Sequence, residues 1–203
     1  MDTERIIYLS CPLCSSVDFS PFMAGDCTKH PSYNPKLSPR VLWNKCAECA
    51  HEFTEGYYSD AALEVVFSTT VANQGVGQNM ENNRPVSARM LEKILPFQDN
   101  GLWLDVGFGN GSLLFTAAEY GFETVGLDLR QQAVTAMTQL GFEAHKVDIC
   151  DFSYEKTFSV ISMADVLEHT PFPRFCLNSA MRLLKPGGVL FLSMPNSECL
   201  AWE

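Results

Sequence analysis

Two groups of residues in this chain have the types and spacing to do chemistry. The first is Asp105-x-Gly107-x-Gly109-x-Gly111, set behind the apolar run Leu102-Trp103-Leu104 and ahead of an apolar-periodic segment from Ser112 to Tyr120. Glycines let a backbone approach a ligand closely and take positive φ. The helix N-terminus that follows offers free N–H groups and a positive dipole end to an anionic or electron-rich group. Strand, glycine turn and helix, in that order, have the shape of a nucleotide-binding loop. The second group is Cys11-x-x-Cys14 and Cys46-x-x-Cys49, two knuckles separated by 31 residues. Four thiolates so paired can surround one ion tetrahedrally, as a structural zinc site prefers. Such a site is closed, so its role is folding and not catalysis. The plainer alternative is a set of isolated buried thiols. His51 and the pair Cys27 and His30 could substitute as ligands, but such residues are more often ordinary loop residues.

The elements that must position these groups follow from hydrophobic periodicity. From residue 101 onward the chain alternates strand and helix, which argues for an α/β fold with a parallel sheet. Strands are expected at Leu102–Leu104, Thr124–Leu127, Phe142–Val147, Phe158–Met163 and Val189–Met194, the last behind the turn Lys185-Pro186-Gly187-Gly188. Helices are expected at Ser112–Tyr120, Arg130–Leu140 and Phe172–Leu184. Upstream, Ser59–Thr70 and Pro85–Leu95 read as helices, and Asn73–Asn83 as a mobile loop or linker. The interval between the knuckles carries Pro21, Gly25, Pro31, Asn34, Pro35 and Pro39 and reads as a loop with little regular structure. The expected division is a zinc-binding module at 1–58, a linker with helices at 59–100 and an α/β core at 101–203.

Two further acids sit where such a sheet binds its ligands, outside the carboxyl ends of its strands. Asp128 ends the second strand, 17 residues after Gly111, where a carboxylate can accept both hydroxyls of a ribose. Asp148 ends the third strand, where an acid can accept from an adenine amino group; Asp151 competes for that role. The plainer reading of each is a solvated strand-end or turn-capping acid.

Composition narrows the function. The 203 residues carry a net charge of −10 and eight cysteines. That acidity argues against phosphate-backbone binding as the main activity. Over residues 1–58, five cations face seven acids, so there is no basic stripe for nucleic acid. No apolar run approaches a membrane span, and the start of the chain is not signal-like. The expectation is a cytoplasmic protein whose cysteines hold metal or stay as thiols.

The glycine motif resembles motif I, E/D-x-G-x-G-x-G, of the class I S-adenosylmethionine (SAM)-dependent methyltransferases. The later runs Val166-Leu167-Glu168-His169, Leu184-Lys185-Pro186-Gly187-Gly188 and Pro195-Asn196 resemble the ubiquinone-biosynthesis O-methyltransferases. The resemblance covers Leu102 to Asn196. The paired knuckles followed by Phe53, Tyr57 and Tyr58 resemble the zinc-binding domain fused to some sugar C-methyltransferases. These resemblances imply a Rossmann-like fold behind a small zinc-ribbon-like module. In that fold Asp105, Gly107, Gly109 and Gly111 cradle the methionine part of SAM, and Asp128 holds the ribose. Leu129 and Ile149 sandwich adenine, Asp148 binds its amino group, and the backbone near Met163 and Ala164 faces the sulfonium. His169 is the candidate base for an oxygen acceptor; a histidine packed on Glu168 or Asp165 is the alternative.

The expected activity is methyl transfer to a small-molecule acceptor, a sugar derivative or a phenol- or quinone-like compound. Rival readings are a non-catalytic or truncated protein holding SAM or S-adenosylhomocysteine, and an RNA methyltransferase guided by the zinc ribbon. An NAD enzyme is disfavoured by the G-x-G-x-G spacing and Asp148. Five strands of the class I sheet are recognisable and its final hairpin is not. The fifth-strand edge then needs cover from a second copy, a partner chain or the N-terminal module.

Overall fold

A computed structural model describes residues 4–30, 33–70 and 74–196. Contacts divide the chain into two compact units, Met1–Asn73 with Pro171–Arg174, and Gln74–Thr170 with Phe175–Glu203. The first contains short strands β1 (Arg5–Ile7), β2 (Phe19–Asp26), β3 (Arg40–Cys46), β4 (Glu52–Thr54) and β5 (Gly56–Tyr58), then helix α1 (Asp60–Thr70). β1 pairs antiparallel with β5, and β2, β3 and β4 form a second antiparallel sheet in that order. The interval between the knuckles is therefore only in part the irregular loop expected from its prolines. β2 and β3 take its two ends, with Pro21 and Gly25 inside β2, while Asn34, Pro35 and Pro39 lie between them outside any strand, as expected. Pro21 sits on the edge strand, at a register shift between Pro21 and Met23, and edges and bulges are where a strand tolerates proline. Helix α1 starts as expected, with the Ala62 amide donating to Ser59 Oγ at 3.3 Å.

The second unit opens with α2 (Met80–Ile94), which begins five residues before the expected start at Pro85. Pro85 lies inside this helix, where it removes one hydrogen bond near the exposed N-terminal end. The polar stretch Asn73–Asn83 expected as a mobile loop or linker is thus partly helical, and its first residue, Asn73, lies outside the described ones. The remaining elements are β6 (Leu102–Val106), α3 (Ser112–Glu119), β7 (Glu123–Leu127), α4 (Gln131–Gln139), β8 (Glu143–His145), β9 (Phe158–Ala164), a 3-10 turn (Leu167–His169), α5 (Pro173–Leu183) and β10 (Leu184–Ser193). The five strands lie in the order β10-β9-β6-β7-β8, every neighbouring pair parallel. Lys185-Pro186-Gly187-Gly188 does not precede the last strand as a separate turn. It lies within β10 as an irregularity in the ladder, between Leu184 paired with Phe158 and Val189 paired with Val160.

Residues that alternate along a strand face opposite sides of a sheet. Trp103 and Val160 pack on one face with Leu91, Ile94, Leu113 and Phe122. Leu104, Val106, Ile161 and Met163 pack in a second cluster with Cys176, Ala180 and Leu183. Burial on both faces explains why β6 and β9 read as nearly unbroken apolar runs. Each fully buried large side chain contributes roughly 1.5–3 kcal/mol, so this core holds the carboxyl ends of the strands, and the loops on them, in place.

Candidate functional site

In the central sheet β6 lies between β7 and β9, so the chain order reverses between β6 and β9. Ligands of open α/β sheets bind outside the carboxyl ends at such a switch point. The glycine loop leaves β6 there. The amides of Gly107 and Phe108 donate to the Leu127 carbonyl at 2.7 and 3.2 Å, holding the loop against the end of β7. Gly111 has φ of 83° and caps α3; a Cβ there would lie 2.4 Å from Met137 Cε. Gly109 has φ of 57°, yet a Cβ there would meet nothing closer than the Gly107 carbonyl oxygen at 3.9 Å. Gly111 therefore serves helix packing, whereas Gly109 faces open space that a ligand can enter.

Asp105 is 3% exposed, at the end of β6. Ser162 Oγ donates to its Oδ1 at 2.6 Å and accepts from Trp103 Nε1 at 2.8 Å. Burial pushes the Asp105 carboxyl up to about 7; the Ser162 bond opposes this and the charge of Asp128 adds to it. Ser162 escapes sequence reasoning because a serine inside an apolar strand resembles filler.

Asp128, 7% exposed, is held by Arg130. The Arg130 amide and Nε donate to Oδ1, both at 2.9 Å, and Nη2 donates to Oδ2 at 2.7 Å. The Gly109 amide adds a longer bond to Oδ2 at 3.3 Å, joining the strand-end acid to the glycine loop. Arg130 is the functional residue that the sequence reading passes over. The signal is the Asp-x-Arg spacing, which places the guanidinium within reach of the acid.

Asp148 is half-buried and accepts from the Cys150 amide at 2.8 Å. Leu129 is 38% exposed, while Ile149 is 2% exposed and belongs to the core cluster with Leu104 and Val106. Met163 is fully buried at the end of β9, and Ala164 beside it is half-buried. Beyond them Asp165 has φ of 54°; its amide donates to the Ser193 carbonyl at 2.8 Å and Ser193 Oγ donates to its Oδ1 at 3.2 Å. His169 ends the 3-10 turn with a side chain 77% exposed, its Nε2 at 3.9 Å from Glu168 Oε1.

In the N-terminal unit the two knuckles fold alike. Ser15 and Ala50, each following the second cysteine of its pair, have φ of 65° and 60°. Their amides donate to the carbonyls of Cys11 and Cys46 at 2.8 and 3.1 Å. The four Sγ atoms of Cys11, Cys14, Cys46 and Cys49 lie within 4.8 Å of one another. Cys11–Cys49 and Cys14–Cys46 are 3.7 and 3.5 Å apart. Zinc–sulfur bonds of about 2.3 Å put sulfurs at tetrahedron corners about 3.8 Å apart, so these thiols have the separations a zinc ion needs. Backbone amides of Cys49 and Glu48 help draw the Cys46 thiol down to about 7. His51 stacks on Phe53 at 5.5 Å instead of joining the cluster. Tyr57 packs on Tyr8, and Tyr58 Oη accepts from Arg5 Nη2 at 2.8 Å.

Comparison with known proteins agrees with this geometry. Residues 80–203 match the family described as "Methyltransferase domain". Among curated relatives, the ubiquinone biosynthesis O-methyltransferase of Idiomarina loihiensis is 30% identical over 107 residues, covering 49% of this chain and 44% of that protein. The same enzyme of Xanthomonas oryzae pv. oryzae is 37% identical over 101 residues, covering 46% and 42%. The matched segments thus span less than half the length of these relatives. Among solved structures, the SAM-bound amino pentose methyltransferase of Micromonospora echinaspora superposes with a TM-score of 0.52 at 24% identity, covering 64% of this chain and 56% of that one. The N-methyltransferase NodS of Bradyrhizobium japonicum, in complex with S-adenosylhomocysteine, gives 0.53 at 18% identity, covering 62% and 71%. At that identity the structures establish the fold alone, whereas the family match takes in more than half the chain. The chain belongs to the methyltransferase domain family, of the class I, SAM-dependent kind.

Proposed function

We propose that this protein transfers a methyl group from SAM to a small-molecule acceptor in the cytoplasm, and that its N-terminal unit is a structural zinc module. The observation that carries the reading is the open cradle at Gly109, at the switch point, with Asp128 directly after β7 and Asp148 in the turn beyond β8, which ends at His145 and not at Val147 as expected. When bound, SAM supplies a methyl group on a cationic sulfur, which an acceptor lone pair displaces as the carbon–sulfur pair returns to sulfur. Gly107, Gly109 and Gly111 shape the loop that receives the methionine part beside Asp105. Asp128 seats the ribose, Asp148 takes the adenine amino group, and Leu129 and Ile149 bound the adenine ring. The backbone at Met163 and Ala164 lines the methyl side. The gain from such a site is chiefly alignment, worth up to ~7–11 kcal/mol in favourable cases.

An oxygen acceptor must also lose a proton, and His169 takes it on a ring nitrogen. Its exposed position lets an acceptor reach it. The ubiquinone-biosynthesis relatives favour a phenol- or quinone-like acceptor, with a sugar derivative as the other class. Cys11, Cys14, Cys46 and Cys49 hold zinc in a closed site that orders the small strands around it.

The test is transfer of isotope-labelled methyl from SAM to a catechol and, separately, to an amino sugar. The reading predicts labelled catechol ether, falling by about 10²-fold or more in His169→Ala. A protein that binds SAM but labels neither acceptor would contradict it and leave a cofactor-binding protein.

A further inference from the structure

Arg130 is buried, and its guanidinium does more than balance one charge. It forms a fork on Asp128, and Nη2 also donates to the Gly109 carbonyl at 3.1 Å. Nη1 donates to the Gln74 carbonyl at 3.2 Å. Gln74 opens a strap of residues 74–79 that is tied to the glycine loop at two more points. The Gly77 amide donates to the Asn110 carbonyl at 2.9 Å, and Asn110 Nδ2 donates to the Gln78 carbonyl at 2.7 Å. Val76 packs against the cluster that holds Phe108, Leu114 and Met137.

The difficulty lies at Asp128. A carboxylate offers about four lone-pair positions. All four have donors here: the Arg130 amide and Nε on Oδ1, and Arg130 Nη2 and the Gly109 amide on Oδ2. A ribose diol brings two more. Both amides belong to the backbone of the loop and of the turn into α4, so they cannot leave without unmaking it. The side-chain fork can leave by rotation. We propose that Arg130 is a displaceable clasp on the ribose seat, holding Asp128 and the Gln74 carbonyl to the glycine loop until the ribose hydroxyls of SAM replace its fork. This rests on the reading that Asp128 seats the ribose.

The clasp has a clear use when the cofactor is absent. It pairs a buried carboxylate that would otherwise stand as an uncompensated charge. A planar fork suits this task better than an ammonium, because it bonds both carboxylate oxygens and two carbonyls at once. Rotation of the fork breaks the Gln74 and Gly109 carbonyl bonds in the same motion. Cofactor entry and release of the Gln74 carbonyl are therefore one event, while the Gly77 and Asn110 bonds keep the rest of the strap on the loop. Arg130 is a positioning residue, and it sets the apparent affinity for SAM.

The experiment is calorimetric titration of SAM into the full chain and its Arg130→Met and Asp128→Asn variants, with NMR of the Arg130 Nε–H in the wild-type chain. A clasp shut about nine-tenths of the time weakens apparent affinity about tenfold, so Arg130→Met should bind SAM about tenfold more tightly. The Nε–H should be protected from exchange in the free protein and lose that protection when SAM binds. Equal or weaker binding by folded Arg130→Met, with Asp128→Asn impaired, would overturn the clasp and leave the ribose seat standing. Asp128→Asn binding SAM like the wild type would remove the ribose seat, and the clasp with it. If Arg130→Met does not fold, the wild-type spectrum decides: an Nε–H still protected in the SAM complex overturns the clasp.

Discussion

Asp105 and its neighbours illustrate how much a buried acid can tell. Its carboxyl stands at about 7 because it is buried, and its hydrogen bond comes from a serine and not from a cation. The ordinary value of an aspartate is about 3.9. Between about pH 4 and pH 7 the folded state therefore holds a proton that the unfolded chain has released. Stability contributed by this group must fall as pH rises through that window, and the penalty is complete above it. Asp105→Asn cannot titrate, so denaturation midpoints of the variant should gain on the wild type by an amount on the order of a few kcal/mol between pH 5 and pH 8. Parallel pH profiles would refute this. The glycines divide in the same way. Gly111→Ala forces a Cβ into Met137 and should cost about 2–4 kcal/mol. Gly109→Ala meets only open space, so it should cost about 1 kcal/mol for its backbone and show its effect in ligand affinity. Urea denaturation of the two variants separates these cases. The acids and glycines were legible because strand-end position and spacing reveal them. Ser162 was not, since its partner Asp105 is brought close only by the fold, and Arg130 was passed over although its partner lies two residues away.

The elements show a similar split. The glycine strand, α3, β7, α4 and β9 were readable within a residue or two, because each has a strong period bounded by a glycine or an acid. The β2–β3 pair was not. Pro21 and Gly25 are signals of irregular chain, and only the edge position of β2 and its register shift make Pro21 compatible with a strand. Pro85 misled in the opposite direction, marking a helix start that lies five residues upstream. The knuckles were visible by spacing alone, but their shared turn, with Ser15 and Ala50 at positive φ, needed the backbone. Zinc removal should expose the consequence. A chelator should strip hydrogen-exchange protection from the amides of Cys11, Cys46 and Ala50, while β6 and β9 stay protected. Cys46→Ser should lower bound zinc below one per chain. Protection unchanged by chelation would show that the cluster folds as free thiols.

At the scale of the molecule, the parallel order β10-β9-β6-β7-β8 sets a switch point between β6 and β9, the place where open α/β sheets bind ligands, and the glycine loop leaves β6 there. The sheet's two covered faces supply the rigidity. Trp103, fully buried with its ring edge-on to Phe122 at 5.0 Å and its indole N–H on Ser162, ties that core to the acid at the end of β6. Trp103→Phe should therefore both loosen the core, by about 1–3 kcal/mol, and raise the exchange rate of β6 amides. No helix among the described residues is long and apolar enough to cross a membrane. In the proposed function, SAM enters this switch point through the opening at Gly109. Calorimetric titration of the zinc-loaded protein with SAM, with NAD as control and Gly109→Val as the filled cradle, tests it most directly. The protein should bind SAM saturably and NAD not at all, and the valine variant should stay folded and lose SAM binding. A folded wild-type protein that ignores SAM, or a valine variant that binds it undiminished, would rule out a SAM site at Gly109.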